Sequence, residues 1–340
     1  MELAKLDPAA WDNCHFGNLI GNSLPMQDVY KLIKKVAKTD TPVLIRGEVG
    51  TGKELVARSI HKLSKRQKAH FVTLNCTALT EDLLESELFG YTAGALKQDP
   101  SGAKKGILEA ANHGTIFIEG IENISINLQN KILRFLQTGE FYKLGSKTST
   151  KADVRLLVAT NGNLLHKVKQ GTFRPELFYR LNVISISVPP LRDRKDDISL
   201  LARHFLVKVN KKLGKKVIGI SEEAMDALIR ADWPGNVREL KNVIERAVIL
   251  TEGRKIELSD LPRNIRNLAK GATGWPYTQG MSLKEAIYNY EEKLILQAMK
   301  ESHWVQARAA KVLGLKRSTL NEMIKRHNLS SKVKNAGKYV

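Results

Sequence analysis

Apolar residues along this chain of 340 residues fall into two regimes, short continuous runs and helical spacing. From about 20 to 188 the runs dominate. TPVLIRG (41–47), GTIFIEG (114–120) and VRLLVATN (154–161) are strand-length and apolar. Helical patterns separate them, and the segment from Lys53 is expected to bring Leu55, Val56, Ile60 and Leu63 onto one face. Continuous strands alternating with helices predict a parallel sheet covered on both sides, an α/β class. From about 195 to 265 the pattern is wholly helical. One helix carries Ile198, Leu201, Phe205 and Val209; another starts at Ser221, an N-cap followed by Glu222 and Glu223.

A break comes at GATGWPYTQG (271–280), whose glycines and proline read as a linker. The expected divisions are a lead-in over 1–17, too small for a sensory domain, an α/β unit over 18–190 and a helical unit over 191–265. A linker over 266–280, a small helical unit over 281–330 and a basic tail over 331–340 complete the chain. No internal repeat is visible.

Composition is ordinary in hydrophobic (42%) and charged (26%) content, but 55 Lys+Arg against 35 Asp+Glu leave a net charge of +20. Such a surplus points to a polyanion, whose counterions cationic side chains displace. Residues 281–340 hold 12 Lys/Arg and 5 Asp/Glu, a surplus of 7. The two cysteines, Cys14 and Cys76, lack metal-ligand spacing and fit a reducing cytoplasm. No basic start precedes an apolar run, and no stretch reaches the roughly 18 apolar residues of a membrane span. A cytoplasmic protein without a membrane partner is expected.

Between the first strand and its helix lies Gly47-Glu48-Val49-Gly50-Thr51-Gly52-Lys53-Glu54. Glycines let backbone N–H groups turn around phosphates, and the helix start adds its positive end. Lys53 would reach the β and γ phosphates of a nucleotide. Glu54 stands where a Ser or Thr magnesium ligand usually follows the lysine.

With ESELFG (85–90), FRPELFYRLNV (173–183), PPLRDRKDDI (189–198) and WPGNVRELKNVIERAV (233–248), the chain resembles the AAA+ family of sigma-54-dependent activators. The likeness extends over 20–329. It implies an AAA+ P-loop parallel sheet with a helical lid, then a small all-α helix-turn-helix domain. It also implies ATP as ligand, with magnesium as companion. The resemblance places Gly47, Glu48, Gly50, Thr51, Gly52, Lys53, Glu54, Glu119 and Arg238 around the nucleotide. Asn75 resembles the asparagine that restrains the catalytic glutamate, and Thr160 and Asn161 match the first sensor. Arg174 and Arg180 match the pair that reaches a neighbouring subunit's γ-phosphate, and Arg238 matches the second sensor. Fixed guanidinium groups suit charge building on phosphoryl oxygens.

Two departures stand out. The family ends its second acidic motif in Asp-Glu, where this chain has Glu119-Gly120. Glu119 could still serve magnesium. Gly120 has no side chain to orient or deprotonate water, a function worth about 10²- to 10⁴-fold in rate. Glu122 lies two residues on, and nothing in the sequence puts it in the missing carboxylate's place. The family's sigma-54 loop, Gly-Ala-Phe-Thr-Gly-Ala, becomes Gly94-Ala95-Leu96-Lys97-Gln98-Asp99, in a segment about one residue longer up to Gly106. Its Lys97, Lys104 and Lys105 read as a solvated loop or as contacts to DNA or nucleotide.

Residues 283–329 resemble a Fis-type helix-turn-helix. Ile287, Tyr290, Leu294 and Met299 are expected in the core or at a dimer surface. Ala307, Ala309 and Ala310 would let two helices cross closely, with a turn at Gly314. The last helix should enter the major groove by its N-terminal part. Arg317, Ser318 and Asn321, with Thr319 beside them, are candidates for base edges; Arg308, Lys316, Lys325 and Arg326 are candidates for phosphates.

The favoured function is a sequence-specific double-stranded-DNA-binding transcriptional regulator whose ATP-binding domain has impaired hydrolysis and sigma-54 remodelling. It would act on RNA polymerase through an undetermined sigma factor, as a homo-oligomer between dimer and hexamer. The alternatives are an active sigma-54-dependent ATPase and a partner subunit in a paralogue's ring.

Overall fold

A computed structural model describes residues 15–95, 102–269, 282–302, 304–327 and 329. The lead-in up to 14, the stretch carrying Lys97, the segment 270–281 and the basic tail lie outside the described residues. The chain forms two compact units, one ending at Ala269 and one beginning at Lys270.

The first unit is built on five strands: Val43–Arg46 (β1), Phe71–Asn75 (β2), Thr115–Glu119 (β3), Arg155–Thr160 (β4) and Ile184–Ser187 (β5). Their order is β5-β1-β4-β3-β2, and every pairing is parallel. The α/β class expected from the apolar runs is therefore present. Alternation along the strands feeds two separate cores. Leu44, Ile116, Ile118, Leu156 and Val158 pack to one side with Leu88, Phe89, Leu128 and Phe135. Val43, Ile45, Phe117, Leu157 and Ala159 pack to the other with helices Leu24–Val36 (α1) and Lys53–Lys62 (α2). In α2 the buried stripe is Lys53, Val56, Ala57 and Ile60, the i, i+3, i+4, i+7 pattern counted from its first residue. Leu55 and Leu63, expected on that stripe, are exposed: Leu55 faces away and Leu63 lies just past the helix end.

Arg155, 1% exposed, sits in the central strand β4 and donates to the carbonyls of Val36 (2.8 Å) and Ala37 (3.3 Å). Both terminal nitrogens of a buried cation are thus met by the negative end of α1, while its Nε has no partner. Register aligns the strand ends. Arg46 pairs with Thr160 and Ser187, and Glu119 pairs with Asn75 and Ala159, so one sheet edge gathers residues 46, 75, 119 and 160. Ligands of open α/β sheets bind at that carboxyl edge.

The helical part of this unit comprises Asp196–Leu213 (α3), Glu222–Arg230 (α4), Asn236–Leu250 (α5) and Arg263–Ala269 (α6). Ile198, Leu201 and Val209 are buried together with Trp233, Leu240 and Ile244. Ser221 caps α4 by accepting from the Ala224 N–H at 3.4 Å. Helix α6 carries the lid four residues past position 265, because Ile265 and Leu268 continue its apolar face.

The second unit has helices Leu283–Glu301 (α7), Gln306–Val312 (α8) and Arg317–Arg326 (α9). Its core joins Ile295, Ala298 and Met299 of α7 to Ala309, Ala310, Leu320 and Ile324. Met299 is buried as expected. Ile287, Tyr290 and Leu294 lie on the exposed side of α7, and Ala307 is exposed rather than at the helix crossing. Among the described residues, no helix is long and apolar enough to cross a membrane.

Candidate functional site

The P-loop leaves β1 at Arg46 and enters α2 at Lys53. Gly50 has φ +81°, and a Cβ there would lie 2.2 Å from the Gly235 carbonyl oxygen. Glycine is required both for the turn and for the close approach of the lid. Lys53 is 3% exposed; its ammonium donates to the carbonyls of Gly47 and Glu48, each at 3.0 Å, and to Oδ1 of Asn161. Burial pushes its pKa down, and the charges of Glu119 and Glu122 oppose that. Thr51 closes the loop by donating to the Glu48 carbonyl at 2.8 Å.

Asn236, fully buried, is a residue that sequence reasoning misses. Its Nδ2 donates to the Val49 carbonyl (3.0 Å) and to Glu48 Oε2 (3.1 Å), while its Oδ1 accepts from the Leu191 N–H (2.8 Å). Its φ of +53° is tolerated by asparagine better than by most side chains. Arg238 adds a backbone N–H to the Gly50 carbonyl at 3.3 Å, and its positive charge acts on Lys53. Arg194, 3% exposed, donates to the Thr51 carbonyl at 3.0 Å. The segments around 191–194 and 235–238 therefore hold the P-loop from outside.

Two expected nucleotide ligands are engaged elsewhere. Glu48 forms a two-pronged pair with Arg192 at 2.8 and 2.5 Å. That bond first, then the one from Asn236, lowers its carboxyl pKa to about 2. Glu54 meets Arg58 one turn along α2, at 2.7 Å, because position 54 falls on the helix's outer face.

At the end of β3, Glu119 is held in register, with its carbonyl accepting from the Cys76 N–H at 2.9 Å. Gly120 comes next at φ +75°, and a Cβ there would sit 2.7 Å from Thr77 Cγ2. Asn75 is turned onto its own loop, accepting from the Thr77 N–H (2.9 Å) and hydroxyl (2.6 Å). Glu122, given no role from sequence, comes to the Lys53 side, accepting the Asn161 N–H on Oε1 at 3.1 Å. Magnesium takes one or two carboxylates together with substrate phosphates and water. Glu119 supplies a strand-end carboxylate of that kind. Among the described residues, no group of three or more His, Cys, Asp or Glu could hold an ion alone. The donor set fits an ion that arrives on phosphates.

Arg174 caps the helix Pro175–Leu181, its N–H donating to Gln129 Oε1 at 2.7 Å. Arg180, on the same helix, reaches the Leu136 carbonyl at 3.2 Å. Thr160 is bonded to Gly162 beyond the strand end. Of the loop lysines, Lys104 pairs with Glu87 at 2.5 Å and Lys105 with Glu109 at 3.8 Å, so both have protein partners.

In the second unit, Lys316 is the N-cap of α9, and Arg317, Ser318 and Thr319 form its exposed first turn. Arg308 and Lys325 are exposed and Asn321 half-buried. Arg326 is exposed as well, and its guanidinium pairs with Glu291 of α7, which also meets His327 at 3.0 Å.

Family profiles match in the same order. The sigma-54 interaction domain covers residues 19–187, an AAA+ ATPase lid domain 192–274 and a bacterial regulatory protein of the Fis family 288–327. Nitrogen fixation protein AnfA of Azotobacter vinelandii is 45% identical over 318 residues, 93% of this chain and 58% of AnfA. Regulatory protein AtoC of Escherichia coli (strain K12) is 43% identical over 324 residues, 94% of this chain and 69% of AtoC. The crystal structure of NtrX from Brucella abortus in complex with ATP matches with TM-score 0.71 and 32% identity, covering 92% of this chain and 70% of that one. The chain thus spans little more than half the length of AnfA.

The Glu48 pair predicts a pH dependence. A carboxyl whose folded pKa is depressed adds stability that is complete above its ordinary value and is lost as pH falls through the folded one. The difference in thermal midpoint between wild type and Glu48→Gln should therefore hold from pH 8 to about pH 5 and shrink towards about pH 2. A difference that vanishes between pH 7 and 5 would sink the assignment.

Proposed function

The chain belongs to the family of sigma-54-dependent activators, and on that premise we propose that it is a sequence-specific DNA-binding transcriptional regulator whose AAA+ domain binds ATP. The observation that carries this reading is the buried Lys53 in a cradle closed by Asn236 and Arg238, in a chain that also presents a basic recognition helix. Lys53 would meet the β and γ phosphates, exchanging its present carbonyl partners for them. Bound magnesium, which Glu119 would hold, neutralises charge on the phosphate oxygens. Arg174 and Arg180 would project to the nucleotide of a neighbouring copy, which makes the working form a homo-oligomer.

Gly120 sets hydrolysis below that of a family member with glutamate there. The altered loop at 94–105 lacks the aromatic and threonine that engage sigma-54, so remodelling of that polymerase is reduced or lost. With sigma-54 polymerase on a supercoiled template, open-complex formation should stay at the level without activator. ATP-dependent opening would restore the reading of an active sigma-54 activator.

At the DNA end, Arg317, Ser318, Thr319 and Asn321 face bases, and Arg308, Lys316 and Lys325 face phosphates. A site selected from random duplexes should be bound about 10- to 100-fold more weakly by Arg317→Ala, with relaxed specificity at one position. Lys325→Ala should weaken all sequences alike and reduce the salt slope by about 1. Unchanged binding in both variants would remove α9 from the interface.

A further inference from the structure

We propose that Glu122 is the carboxylate that orients and deprotonates the water attacking ATP, in the place left by Gly120. The proposal rests on the nucleotide-binding reading of the same site.

Backbone geometry explains the displacement. The Gly120 N–H still bonds to the Ala159 carbonyl at 3.0 Å, so the chain stays in the sheet to that point. Its left-handed conformation then starts a single 3₁₀ turn, Ile121–Asn123. Ile121 is fully buried in the core, and in a turn of three residues the next side chain must leave by another side. Glu122 does so towards the strand ends. Its carbonyl is anchored by the Lys167 ammonium at 2.5 Å and its Oε1 by the Asn161 N–H at 3.1 Å. Asn161 also receives the Lys53 ammonium on its side chain, so P-loop lysine, sensor and Glu122 form one bonded chain.

The second oxygen decides what the carboxylate is for. Glu122 Oε2 is buried and makes no hydrogen bond within the protein. An unpaired carboxylate oxygen is costly to bury unless a donor comes to it. A water molecule beside the lysine that meets the terminal phosphates would be such a donor, and it reaches Oε2 only after a side-chain movement, because the oxygen is closed to solvent in this conformation.

Position 120, by contrast, is built to exclude a side chain. A Cβ there would collide with Thr77 Cγ2 at 2.7 Å in a left-handed backbone, and Asn75 is already committed to Thr77. The loop is shaped around glycine, so Gly120→Glu would strain it.

In the step itself the water oxygen bonds to the γ-phosphorus and the bond from that phosphorus to the β–γ bridging oxygen breaks, leaving ADP. The water proton passes to Glu122 and then to inorganic phosphate, so the carboxylate is regenerated.

The test uses the full chain with its DNA over a range of protein concentrations, measuring phosphate release and ATP affinity for wild type, Lys53→Ala, Glu122→Gln and Glu122→Asp. Glutamine keeps the acceptor for the Asn161 N–H while losing the base. Wild-type turnover should exceed that of Lys53→Ala. Glu122→Gln should lower kcat by about 10²-fold or to background, with ATP affinity within about threefold of wild type. Glu122→Asp should fall between them. Turnover in Glu122→Gln equal to wild type overturns the proposal, as does wild-type turnover no faster than Lys53→Ala despite tight ATP binding. Failure of wild type to bind ATP overturns the nucleotide-binding reading itself, and the role of Glu122 with it.

Discussion

One amide side chain fixes the geometry on which the nucleotide site depends. Asn236 sits at the start of the lid helix Asn236–Leu250, yet its polar atoms serve two other segments: Val49 and Glu48 in the P-loop and Leu191 after the last strand. Asn236 itself is fully buried, where an unpaired polar group costs about 1–3 kcal/mol. Within the P-loop, Thr51 and Lys53 bond to the carbonyls of Glu48 and Gly47, and its three glycines leave the rest of its conformation to outside contacts. Its shape is imposed by the lid through Asn236, the Gly50–Gly235 approach and Arg194 on Thr51. A lid movement must therefore be felt by the loop that would hold phosphates.

The sheet supplies the other half of the site. Parallel register brings Arg46, Asn75, Glu119 and Thr160 to one edge, and the turn leaving each strand decides the chemistry there. After β3 the chain turns left-handed at Gly120, and the carboxylate arrives from Glu122, one 3₁₀ turn later. The left-handed residue and the short turn after it set where this carboxylate lies.

Much of this is legible in the sequence for a physical reason: strands, P-loop and the helical regions are written in local periodicity and glycine placement, while the lid and the helix-turn-helix are legible through the family resemblance. The strand runs around 43–46, 115–119 and 155–160 and the Ser221 cap require no knowledge of distant residues. The illegible features depend on partners far along the chain. Glu48 belongs to Arg192 and Asn236, and Arg326 belongs to Glu291. Leu55 points outward because Lys53, not Leu55, opens the buried stripe of its helix. Arg155 reads as a polar interruption of a strand until the end of the helix Leu24–Val36 is seen beneath it. Glu122 escapes a sequence reading because an offset of two cannot show which way a turn throws a side chain. Its neighbour Ile121, apolar beside a recognisable strand, is the available signal.

Titrating ATP by calorimetry into wild type and Asn236→Gly shows whether the lid shapes the phosphate cradle through Asn236. Glycine removes the amide without penalising the positive φ at this position. An affinity loss of about tenfold or more is expected with the lid still folded, the cost of roughly one hydrogen bond or two. Equal affinity in the two proteins would contradict it, and the cradle would then be held by the P-loop alone.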